Sequence, residues 1–100
     1  MNLGRAIRLC RQRIGWTQEL LANNVGISTS YLSLIEADKR DPSISTVRRI
    51  ARAMEIPFSV LIFLAADRSE LEGLDKELCE KLSYLTLQLL DDVPRQKTLL

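Results

Sequence analysis

Residues 17–36 read TQELLANNVGISTSYLSLIE, and the punctuation of this stretch decides the fold. Thr17 carries the short hydroxyl side chain that caps a helix by accepting a backbone N–H of its first turn. It opens a helix in which Leu20, Leu21 and Val25 face inward, while the small Ala22 lets a neighbouring helix approach closely. Gly26 ends that helix, because glycine enters the left-handed conformation of a helix C-terminus at little steric cost. Only Ile27 then separates Gly26 from Ser28, a second N-cap, so the chain turns at once into another helix over residues 29–36.

Upstream, Leu3, Ile7, Cys10 and Ile14 recur at the spacing of one helical stripe, which predicts a first helix over 3–14 that buries this stripe and stops at Gly15. Arg5, Arg8 and Gln12 fall opposite the stripe, and Arg11 falls at its edge. Downstream, DKRDPS (38–43) is a loop by composition, and Pro42 followed by Ser43 announces the next helix. In that helix Ile44, Val47, Ala51 and Met54 form the inward face, extended by Ile50, with Arg48, Arg49 and Arg52 on the opposite side. Pro57 sits where the start of a helix tolerates proline, and a nearly all-apolar fifth helix follows from Phe58. No strand-like alternation appears, so the class is all-α. Two short helices about so tight a glycine turn are the signature of a helix-turn-helix.

Beyond these five helices, Ser69 and Glu72 form a capping box. Leu71, Leu74, Leu78, Leu82, Leu85 and Leu89 then follow at intervals of 3, 4, 4, 3 and 4. The mean of about 3.6 predicts an ordinary amphipathic helix. At about 24 residues, or roughly 35 Å, it is longer than a small bundle can cover. A homodimer is the simplest way to bury the leucines; the alternative is folding back onto Phe58, Leu61 and Phe63. The chain thus divides into a bundle over 1–66 and a C-terminal amphipathic helix over 67–100, a dimerisation segment.

The chain has 100 residues, 46% of them hydrophobic, and a net charge of +1. That charge is uneven: residues 1–60 hold nine Lys/Arg against five Asp/Glu, and residues 61–100 hold five against eight. A basic half suits a polyanionic partner. Histidine is absent and there are two cysteines, Cys10 and Cys79. No four-ligand zinc site and no histidine-based acid/base or triad can therefore be assembled within the chain, so neither an enzyme nor a metal or other cofactor is expected. Both cysteines read as small core hydrophobes, with redox sensing or an intersubunit disulfide as the alternative. The N-terminus lacks the apolar run of a signal peptide. The longest apolar run, Val60–Ala66, is far short of the ~20 residues of a membrane span. A cytoplasmic protein is expected.

The stretch WTQELLANNVGISTSYLSLIEADKRDPSISTVRRIARAMEIP resembles the phage-repressor, Cro-like or XRE-type helix-turn-helix family. The resemblance covers roughly residues 3 to 64 and rests on motifs in order: T-Q-E-x-L-A, V-G-I-S, S-Y-L-S-x-I-E, then K-R-x-P-S. Asn24 departs from it, standing where the family usually has a small residue. The resemblance implies a five-helix lambda-repressor-like bundle, with the third helix in the major groove of double-stranded DNA and the second across the backbone. It also implies that Gln18 clamps a phosphate at a helix N-terminus, and that Arg11 and Glu36 pair to tie the first helix to the end of the third.

A helical wheel over 29–37 puts Tyr31, Leu32 and Ile35 on one side. Thr29, Ser30, Ser33, Leu34 and Ala37 fall on the other, the side expected to read bases. None of these five is an Arg, Lys, Asn or Gln, the side chains that read guanine or adenine in bidentate fashion. Direct readout is therefore expected to be modest, with DNA shape, bridging waters and paired half-sites supplying the remainder. Phosphate contacts are expected from Thr17, Gln18, Lys39, Arg40 and the helix start at Ser43, with Arg5 as a further candidate. The function expected is a transcriptional regulator, a repressor, on a palindromic operator. The rival is a helical adaptor that binds another protein, as an antitoxin does.

Overall fold

The computed structural model describes residues 1–66 together with Glu80, Ser83, Tyr84, Leu87 and Gln88. Five helices follow in order: α1 (Leu3–Arg13), α2 (Gln18–Val25), α3 (Thr29–Glu36), α4 (Ile44–Ala53) and α5 (Phe58–Ala65). No strand occurs among the described residues, and the all-α class stands. The expected N-caps Thr17, Ser28 and Ser43 act as such, and the expected capping box of Ser69 and Glu72 lies outside the described residues. Thr17 Oγ1 accepts the Leu20 N–H at 3.1 Å, Ser28 Oγ accepts the Tyr31 N–H at 3.0 Å, and Ser43 Oγ accepts the Thr46 N–H at 3.1 Å. Asn2 does the same for α1, accepting the Arg5 N–H.

The C-terminal ends of α1 to α4 share one geometry. After α1, the Trp16 N–H bonds the Arg11 carbonyl at 3.0 Å and the Gly15 N–H bonds the Gln12 carbonyl at 3.1 Å, satisfying carbonyls that would otherwise be orphaned. The residue that makes this turn needs positive φ: Gly15 (80°), Gly26 (85°), and then Asp38 and Glu55 (60° each) after α3 and α4. The last two escaped the sequence reading because neither is a glycine.

α1 packs on α5 and α3, α2 on α3 and α4, and α4 on α5. The stripe of Ile7, Cys10 and Ile14 meets Leu21, Leu32, Ile35, Ile50, Met54 and Leu61 in one core. The α1 crossing over α3 depends on Gly4, where a Cβ would strike the Ile35 carbonyl. α1 and α5 are also joined through the main chain, the Asn2 N–H donating to the Ala65 carbonyl at 2.7 Å.

One expected core residue lies elsewhere. Ile44, the first residue of α4, is 63% exposed. The buried face starts instead at Thr46 and Val47. Trp16, which the periodicities did not place, is buried in the turn between α1 and α2. Its indole N–H has no acceptor among the described residues. Cys10 is fully buried, and burial pushes its thiol up to about 12. The six stripe leucines, Leu71, Leu74, Leu78, Leu82, Leu85 and Leu89, lie outside the described residues, as does Cys79. Leu87, which is described, is half-buried against the core.

Candidate functional site

The outer surface of α3 is the centre of the site. Leu32 and Ile35 are buried and Tyr31 is half-buried, whereas Thr29, Ser30, Ser33, Leu34 and Ala37 are all exposed. Ser28 caps this helix, so Thr29 and Ser30 stand in its first turn, Ser33 and Leu34 follow one turn on, and Ala37 is its C-cap. The largest apolar side chain among them, Leu34, is 38% exposed.

Below this surface lies a polar cluster that fixes how α3 sits against α1 and α2. Arg11 Nε donates to Glu36 Oε2 at 2.8 Å and Arg11 Nη2 to Glu36 Oε1 at 3.0 Å, a bidentate pair between α1 and the end of α3. The third nitrogen, Nη1, donates to the Trp16 carbonyl at 2.7 Å. Gln18, in the first turn of α2, donates Nε2–H to Glu36 Oε1 at 3.1 Å. The Arg11 and Glu36 side chains are only 11% and 3% exposed, so these hydrogen bonds replace nearly all of the water the charges have lost. The Gln18 and Trp16 contacts were not foreseen. Residues 18 and 36 stand on different helices, and no spacing rule links them.

Two flanks adjoin the α3 surface. On one side, the α2 N-terminus carries Thr17 as its cap and Gln18 in its first turn, and a helix start concentrates unpaired N–H groups and partial positive charge. On the other, the loop after α3 exposes Lys39 and Arg40. The Arg40 guanidinium lies 5.7 Å from the centre of the Tyr31 ring, so α3 itself orients this loop cation. The loop ends at Ser43, whose Oγ caps α4 and also donates to Thr46 Oγ1 at 2.9 Å. Arg48, on the outer side of α4, stacks over Phe58 at 4.2 Å. Arg5 is exposed on α1.

An arrangement of this kind, a small-residue helix face between N–H-rich and cationic flanks, suits a polyanion with a groove. Among the described residues there is no group of three or more acidic, His or Cys side chains able to hold a metal, and no helix long and apolar enough to cross a membrane.

Comparison with known proteins points the same way. The helix-turn-helix family model matches residues 7–61. The chain is 37% identical over 62 residues to the immunity repressor protein of Bacillus phage phi105, covering 62% of this chain and 43% of that protein. It is 37% identical over 73 residues to the competence pilus inhibition repressor of Acinetobacter baylyi, covering 73% and 66%. It is 33% identical over 59 residues to the antitoxin HipB of Escherichia coli O6:H1, covering 59% and 63%. The chain thus spans 43% to 66% of the length of these curated relatives. With a family model over more than half its length, and α2, the Gly26 turn and α3 all inside the matched residues, the chain belongs to the helix-turn-helix family of DNA-binding transcription regulators, in its XRE-type branch.

Proposed function

We propose that this chain is a sequence-specific transcriptional repressor that binds a palindromic operator as a homodimer, with α3 in the major groove, and that it has no enzymatic activity. The observation that carries this reading is the outer face of α3, where Thr29, Ser30, Ser33, Leu34 and Ala37 are all exposed, with the α2 N-terminus and the Lys39–Arg40 loop beside it. Thr17 and Gln18 hold the backbone on the α2 side. Lys39, Arg40 and the α4 start at Ser43 hold it on the other. The resulting register brings Thr29, Ser30 and Ser33 to base edges and Leu34 to thymine methyl groups.

Repression is favoured by two of the relatives named above as repressors. The small reading side chains favour a dimer, because doubling the half-site doubles a weak discrimination. Selecting bound sequences from a random duplex pool tests these points together. The expected result is a two-fold symmetric consensus with half-sites about one helical turn apart. Failure to retain any duplex in a salt-dependent manner would sink the reading in favour of a helical adaptor. A protein partner in addition to DNA is a second reading, favoured by the likeness to an antitoxin. It predicts a co-purifying partner that the isolated α3 face does not explain.

A further inference from the structure

We propose that α1 is a third DNA-contacting element, in which Arg8 and Gln12 hold a backbone phosphate beside the recognition helix; the proposal rests on the DNA-binding reading above. Arg8 and Gln12 stand four residues apart on the exposed side of α1. They form one wall of an open cleft of about 260 Å³ that is also lined by Gln18 of α2 and by Ser33 and Ala37 of α3. Arg11 and Glu36 also line this cleft, and they neutralise each other through their bidentate pair. The net charge of the cleft is therefore that of Arg8. No carboxylate among the described residues pairs with Arg8.

The position of the cleft identifies its occupant. Ser33 and Ala37 belong to the face that meets the groove, so a duplex seated on α3 brings a strand of its backbone against the α1 and α2 side. Gln18 spends one amide N–H on Glu36 and keeps a second for an acceptor. The Arg8 guanidinium, the Gln12 amide and that N–H together offer a donor-rich mouth of the kind that holds a phosphate. A second hollow of about 250 Å³, lined by Arg5, Arg8, Leu9 and Gln12, continues the same surface outward along α1. Arg5 lies on this continuation and not in the cleft.

The test uses the full chain and a mixed-sequence duplex two helical turns long, with affinity measured over a salt series for wild type, Arg8→Gln, Arg8→Lys and Lys39→Gln. Arg8→Gln is expected to flatten the slope of log affinity against log salt by about 0.9 and to weaken binding about eightfold at 0.1 M salt. Arg8→Lys keeps the charge and is expected to keep the slope. Matching circular dichroism melts for wild type and Arg8→Gln would show that folding is unchanged, as the exposure of Arg8 leads one to expect. A wild-type slope in Arg8→Gln, alongside a flattened slope in Lys39→Gln, overturns the proposal and leaves the DNA reading standing. A wild-type chain with no salt-dependent binding overturns both.

Discussion

Glu36 accepts three hydrogen bonds, two from Arg11 and one from Gln18, in a site where its carboxylate is almost out of contact with water. A buried ion pair is a poor source of net stability but a costly one to halve, since the surviving charge has no solvent to fall back on. Glu36→Gln is therefore expected to destabilise the fold by about 3 to 5 kcal/mol, read as a drop in the urea midpoint. Arg11→Met combined with Glu36→Leu should recover most of that loss; a double variant as unstable as the single one would show that the pair is worth more than its desolvation. Cys10 offers a second test at this scale. Its thiol stays protonated in the fold up to about 12, whereas in the unfolded chain it ionises from about 9.0. The fold is favoured by this group below pH 9, and that contribution is lost as pH rises towards 12, by up to about 4 kcal/mol. Cys10→Val should lack this alkaline component, so the difference in stability between wild type and variant should narrow or reverse above pH 9. A pH-independent difference would mean that Cys10 titrates normally.

At the scale of elements, the most constrained contact is α1 against α3. Gly4 lets the two backbones touch where any Cβ would meet the Ile35 carbonyl. Gly4→Ala, harmless in an isolated helix, is expected to cost about 1 to 3 kcal/mol and to loosen the seat of α3. Thermal melts would show the first effect and weaker duplex binding the second; an unchanged melt would mean that α1 shifts freely. The helices themselves were legible in the sequence because their limits are written in local chemistry: Thr17, Ser28 and Ser43 at their starts, Gly15 and Gly26 after their ends. The partition of α3 into Leu32 and Ile35 inside and Thr29, Ser30 and Ser33 outside followed from the helical period alone. Ile44 did not follow, because periodicity gives the face of a helix and not how far the neighbouring helices extend along it. Contacts such as Gln18 with Glu36 or Arg40 with Tyr31 join residues on separate elements, and no periodicity records them.

For the molecule as a whole, the proposed homodimer is tested through the leucine-striped segment. Homodimerisation predicts that the full chain sediments as a dimer and that a chain ending at Asp67 sediments as a monomer; a monomeric full chain would favour folding back. The half-buried position of Leu87 on the core is the feature that supports folding back for that part of the segment. The same question bears on the proposed function, in which a single α3 with small reading side chains would discriminate weakly and two copies would discriminate better. The chain also carries a built-in reporter of its own state. Trp16 is the sole tryptophan, sealed in the α1–α2 turn with its carbonyl held by the Arg11 guanidinium. Its fluorescence is therefore a one-probe optical signal, blue-shifted in the fold and red-shifted on unfolding. Because Arg11 shares Glu36 with Gln18, a phosphate that pulls on Gln18 should change the brightness of that emission without any dye or label.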